Sequence, residues 1–243
     1  MHHYIPRTAA AALVVLAMPA LAQPAKSVGS TRTLSVAQLV DFSLAQQDVS
    51  KVNGSVSADA GQAYGDLDTV NGSIRIAEGA TAEDASTVNG SINVGDKARV
   101  DSLETVNGSI RVGKDVQVRK DVETVNGSIF TDRGTTVGGG IETVNGAIGL
   151  VATQLTGGIE TVNGDITVGI GSHVKGGIKV EKPRGWSMKP RRDPRIIIGP
   201  NAVVEGPLVF ERPVTLYVHT SARIGAVTGA TAKPFSTDTA PTE

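Results

Sequence analysis

The chain of 243 residues has no cysteine. It therefore offers nothing to bridge as a disulfide and no thiol to lipidate. Aromatic residues make up 3% of it, with a single tryptophan, so any core it builds is aliphatic. Histidine occurs four times, at His2, His3, His173 and His219. Once the first two leave with the N-terminal segment described below, a three-histidine zinc centre within one chain is excluded. The Gly- and Asp-rich nonapeptide of calcium-binding β-rolls is also missing. Basic and acidic residues nearly balance, at 23 and 24, which gives no charge excess with which to bind nucleic acid. The apolar stretch from Ala9 to Leu21 is too short, and too broken by Pro19, to span a membrane. The sequence predicts no catalytic residue, no cofactor and no metal ligand, and the chain is read as a protein that is not an enzyme.

What the chain does have is a phrase repeated seven times, in its fullest form Thr69-Val70-Asn71-Gly72-Ser73-Ile74-Arg75-Ile76. Its asparagine recurs at Asn53, Asn71, Asn89, Asn107, Asn126, Asn145 and Asn163, at intervals of 18, 18, 18, 19, 19 and 18 residues. A period so regular marks a solenoid in which each repeat is one turn. Aliphatic residues recur every six positions from Val70 through Ile76, Ala82, Val88, Val94, Val100, Val106, Val112 and Val118, so each turn has three short faces. Within a face, Ile110 and Val112 alternate with Ser109, Arg111 and Gly113, which is strand rather than helix periodicity. The predicted fold is all-β: a single-stranded parallel β-helix of 18–19 residues per turn. Both long repeats place their extra residue in the same hexad, between Val118 and Val125 and between Val137 and Val144, as a bulge at one corner.

One turn cannot stand alone. The inward set assigned to the repeat at Val106, namely Val106, Ile110, Val112, Val116, Val118 and Val122, does not offset the entropy of ordering its backbone. Contact with the turns above and below must supply the rest, and the turn around Ala82, poorest in aliphatic volume, is expected to open first. Stacking gives the seven asparagines a role as a ladder of amides, each donating to one neighbour and accepting from the other. Asn-Gly is read as a left-handed corner between faces. A ligand-binding row of asparagines is the competing reading. Asp68, Ser86, Glu104, Glu123, Glu142 and Glu160 form an outer column that either binds cations or is a solvated edge offset by residues such as Arg75 and Arg111.

In chain order, residues 1–22 read as a secretory signal peptide, with Arg7 in the n-region and Ala20-Leu21-Ala22 as the cleavage site. This predicts a periplasmic or secreted protein. Residues 23–48 are a lead-in and N-terminal cap, with Val36, Leu39, Val40 and Leu44 at helical spacing behind Ser35. Residues 49–228 form the coil, interrupted at 181–195 by a basic, proline-containing excursion. There Arg184, Trp186, Lys189, Arg191, Arg192 and Arg195 are candidate contacts for an anionic envelope polymer, by charge and stacking. A plain solvated loop is the alternative. Residues 229–243, rich in threonine, proline and alanine, read as a disordered tail. Nothing in that tail reads as a lid, so the C-terminal end of the coil is expected to be exposed, a place for a second copy to add end to end.

The stretch Ile198-Gly-Pro-Asn-Ala-Val-Val-Glu-Gly-Pro-Leu-Val209, with Val94-Gly-Asp-Lys-Ala-Arg-Val100, resembles the repeat of the bactofilins, polymer-forming bacterial cytoskeletal proteins. The resemblance covers roughly residues 50–228. It implies a right-handed β-helix that associates end to end without nucleotide or metal. The export signal and the Thr-Val-Asn-Gly phrase depart from that family's pattern. The hexads also resemble the left-handed β-helices of hexapeptide acyltransferases and γ-class carbonic anhydrases, whose histidine requirements this chain does not meet. The function expected is that of a noncatalytic, self-associating structural protein of the cell envelope. The alternative is a module that binds envelope polymer, or an adhesin-like one, through the 181–195 loop.

Overall fold

Strand alternation sets the architecture. In Ile74–Ile76, Ile92–Val94, Ile110–Val112 and Ile129–Thr131 the outer two residues are buried and the middle one is exposed. Each such strand pairs in parallel with its copy one repeat away, isoleucine on isoleucine, from Ile74↔Ile92 through Ile148↔Ile166. The computed structural model, which describes residues 46–183 and 192–240, is a three-faced parallel β-helix with no helix among those residues. The signal peptide 1–22, the lead-in from residue 23 and most of the helical cap lie outside the described residues, as do Arg184, Trp186, Lys189 and Arg191. The cap's last three residues are described, and the last two of them begin the strand Gln47–Asn53 rather than end a helix.

Face A holds ten strands, from Gln47–Asn53 to Val227–Thr228, and face B holds ten, from Val56–Ala58 to Ala232–Phe235. Face C holds seven two-residue strands, from Arg99–Val100 to Arg223–Ile224, and isolated bridges at Ala63↔Thr81 and Thr81↔Arg99 carry it back to the early turns. The core is a set of vertical aliphatic columns. Face A contributes Leu67, Ala85, Leu103, Val122, Ile141 and Ile159, and face C contributes Val100, Val118, Val137, Leu155 and Val174. Where the aliphatic volume falls, at Ala80, Ala82 and Ala85, small residues fill the same positions. Like residues stacked at strand spacing bury one another on both sides, which a lone turn cannot do.

The extra residue of the long repeats does sit at a single corner. Val100 and Leu103 are separated by two residues between faces C and A, whereas Val118 and Val122 are separated by three, and those pairs are in register. The period returns to 18 after Asn145 because the next corner is shorter: Leu150 is four residues from Gln154, where Thr131 is five from Thr136.

Three expectations need correction. First, the repeating valine does not point inward. Along Tyr64–Asn71, Leu67 and Thr69 are buried while Val70 is half-buried on the outer surface, and Val106 has the same outward setting. Threonine takes the inward place because its hydroxyl finds a backbone acceptor inside the coil. Second, Asn-Gly is not the regular left-handed corner: within that phrase only Gly54, at φ 110°, and Gly146, at φ 152°, have a positive φ. The left-handed conformation forms a column between faces B and C, at Gly61, Gly79, Lys97, Asp115, Gly134, Ala152, Gly171 and Asn201, with φ between 43° and 78°. Third, residues 229–243 are not wholly a disordered tail. Ala232–Phe235 pairs with Thr215–His219, and Phe235 is buried with its ring edge-on to His219.

Candidate functional site

Four of the five letters in Thr-Val-Asn-Gly-Ser make a contact between turns. The threonine hydroxyl donates to the glycine carbonyl of the preceding turn: Thr69 to Gly54, Thr87 to Gly72, Thr105 to Gly90, Thr124 to Gly108 and Thr143 to Gly127, at 2.9–3.0 Å. The glycine is there for close approach, since a Cβ at Gly72, Gly90, Gly108 or Gly127 would collide with the carbonyl of the glycine below. The serine hydroxyl accepts from the next turn's amide, from Ser73 N to Ser55 Oγ up to Ala147 N to Ser128 Oγ. The valine has no polar role. It forms an outward, half-buried stripe through Val70, Val88, Val106, Val125 and Val144.

The asparagines form an unbroken ladder. Asn71 Nδ2 donates to Asn53 Oδ1, and the pattern repeats through Asn89, Asn107, Asn126, Asn145 and Asn163, each bond 2.9–3.1 Å. The upper end is closed by a residue the sequence did not single out. Arg212 is buried, and its Nη1 donates to Asn163 Oδ1 at 2.8 Å and to the Val162 carbonyl at 3.0 Å. Because Thr161, Val180 and Phe210 are in register, Arg212 stands in the asparagine column two turns up. Its long side chain crosses the level where the chain leaves for the 181–195 excursion.

Asp165 anchors the return from that excursion. It replaces the serine of the phrase and takes a bidentate pair from Arg192, at 2.9 and 2.6 Å, plus the Arg195 backbone N–H at 2.9 Å. Burial pushes its carboxyl up, but the Arg192 guanidinium and the Arg195 amide outweigh that and hold it below the ordinary range. The Arg195 guanidinium lies over the Tyr217 ring, 5.1 Å from its centroid. On the departing side, Lys179 pairs with the buried Glu181, and the Lys182 amide donates to Glu211 at 3.2 Å. Thus Arg192 and Arg195, both assigned to an anionic ligand from sequence, are engaged within the fold. The visible signal was Asp165 standing at the serine place of the phrase, in the turn that leads to the excursion.

The acidic column is outward but packed. Asp68, Ser86, Glu104, Glu123, Glu142 and Glu160 follow one another in register. Burial, then the facing carboxylates of Glu123 and Glu160, push the Glu142 carboxyl up to about 7. Burial also raises Glu104, helped by Asp84 and Asp121. Glu160 is raised chiefly by burial, against the lowering effect of Lys179. No group of three metal-ligating side chains occurs among the described residues. Neither histidine stands in a cluster of titratable groups: His173 pairs with Glu205 at 2.6 Å, and His219 bonds Ser221 at 2.7 Å. Comparison with protein-family models, with curated proteins and with solved structures finds no match to this chain.

Proposed function

We propose that the chain is a noncatalytic structural protein of the bacterial cell envelope, periplasmic or secreted, that associates with copies of itself through an end of its coil. The observation that carries this reading is the state of the terminal strands. Gln47–Asn53 and Val227–Thr228 on face A, and Val56–Ala58 and Ala232–Phe235 on face B, each have a strand partner on one side only among the described residues. Unpaired edges are templates for another chain. The resemblance of Val94–Val100 and Ile198–Val209 to bactofilin hexads supports the same reading.

The two ends differ in what they offer. The last strand of face B contains Lys233 and Pro234, a charge and a residue with no N–H, both of which discourage edge pairing. The last strands of faces A and C are two residues long. The first strand of face A runs for seven residues, mostly exposed, with Val52 at 48% exposure. Association is therefore expected through the N-terminal end, as a two-fold pair in which Gln47–Asn53 meets its own copy. Light scattering across a concentration series of the processed chain tests this. A dimer that dissociates on Val52→Lys, and that lengthens into filaments when Lys233 and Pro234 both become valine, supports it. A monomer at every concentration and in every variant refutes it.

A further inference from the structure

Face C carries an open cavity of about 420 Å³ that spans four turns, from Gln117 to Lys175. Two outward columns shape it. Gln117, Thr136 and Gln154 are in register in the first. The second runs through Arg119, Gly138, Thr156 and Lys175, each bonded by its amide to the turn before. Gly138 is fixed by backbone packing, because a Cβ there would strike the Arg119 carbonyl. The middle of the face therefore carries only Thr136 and Gly138, flanked by long side chains above and below, and the result is a saddle.

The chemistry of the lining is specific. Two primary amides and two hydroxyls supply donors and acceptors, two cations mark the ends, and no carboxylate lines the cavity. Asp101 already pairs with Arg119 through Nε and Nη2, and Glu205 pairs with His173, so Arg119, 69% exposed, meets a ligand only with the donors that its own ion pair leaves. Arg119 and Lys175 are three turns apart, roughly 14 Å at strand spacing. The volume suits a small-molecule site, within the range of about 300–1,000 Å³. Its openness along the coil suits a segment of a longer chain passing through. The spacing of the turns is close to the length of one pyranose unit in an extended glycan, so a sugar chain lying along the axis meets a fresh pair of polar groups at each unit. A nucleic-acid strand fits less well, since no aromatic ring lines the site to stack on a base.

We infer that face C binds an acidic polysaccharide, with about three sugar units in the saddle, their hydroxyls on Gln117, Thr136 and Gln154 and their carboxylates on Arg119 and Lys175. This site is separate from the 181–195 excursion and does not depend on self-association.

The test is calorimetric titration of the processed chain with tetragalacturonate, with cellotetraose, sodium sulfate and oligothymidylate as parallel arms. Tetragalacturonate alone is expected to bind, more weakly as salt rises. Arg119→Gln with Lys175→Gln should weaken it roughly 10- to 100-fold, the loss of two charge-assisted contacts. Thr136→Phe, at an exposed position that fills the saddle, should weaken it comparably while leaving the melting temperature unchanged. The inference is overturned if tetragalacturonate gives no binding at millimolar concentration, or if either variant binds as the parent does. It is equally overturned if cellotetraose or oligothymidylate binds as tightly, or if sulfate binds and the sugar does not.

Discussion

At the scale of single residues, the phrase is a set of contacts each made twice, once to the turn below and once to the turn above. Asn107 both donates and accepts within the ladder, whereas Asn53 only accepts, from Asn71. Asn107→Ala should cost about 1–2 kcal/mol in urea unfolding and Asn53→Ala less than half of that. Equal, negligible losses would show that the amides contribute nothing. Glu142 gives a pH prediction. Its folded carboxyl titrates near 7, held up by burial and by Glu123, Glu160, Asp121 and Glu181, against an unfolded value near 4.3. The folded state thus binds more protons between those values, and stability falls as pH rises through that window. Glu142→Gln should flatten this fall and gain on the order of 1 kcal/mol above pH 7, after allowance for solvent screening. Asp165 acts with the opposite sign: its lowered pKa contributes stability that is lost as pH falls through its folded value.

At the scale of turns and corners, backbone spacing is the constraint. Gly108→Ala would push a methyl into the Gly90 carbonyl, which also accepts the Thr105 hydroxyl. A loss of about 3 kcal/mol or more is expected, visible as a large drop in the urea midpoint. Gly79, whose corner leaves open space, should lose only the strain of its left-handed φ of 68°. Arg212→Met removes the donor that closes the ladder and bridges the excursion. Hydrogen exchange should then speed up around Val162 and Asn163 while the turns near Asn107 stay protected. Much at this scale was legible in the sequence. The period, the three faces and the single corner for the extra residue all follow from spacing. The inward threonine was legible too, because Leu67, Leu103, Val122 and Ile141 stand two positions before Thr69, Thr105, Thr124 and Thr143. Reading aliphatics alone hid it, since a buried hydroxyl is stable only with an acceptor, and that acceptor lies in another turn. Arg212 was not legible, because its partner is 49 residues away and its column is interrupted by the excursion.

At the scale of the described coil, stability is a sum of turns and of the contacts between them, so it need not be uniform. The turns that place Ala80, Ala82, Ala85 and Ala98 in the core lack the isoleucine and leucine volume of those around Ile141 to Ile159. Native-state hydrogen exchange should show amides near Ala82 opening at lower denaturant than those near Ile148. Uniform protection from Val56 to Phe210 would mean that the coil unfolds as one unit. The short strands and Lys233-Pro234 at one end, against the long first strand at the other, make the two ends unequal as edges. Composition could not show that asymmetry, because the final threonine- and alanine-rich segment reads as tail until Phe235 is seen buried.

A guanidinium has hydrogens to give and no lone pair to receive. Seated on Asn163, Arg212 therefore dictates which way that amide faces, and Asn163 dictates Asn145, and so on down to Asn53, about 29 Å away at strand spacing. No single amide in the row can turn over without setting donor against donor on one side and acceptor against acceptor on the other. The column is in this sense a compass needle whose north is fixed by one arginine.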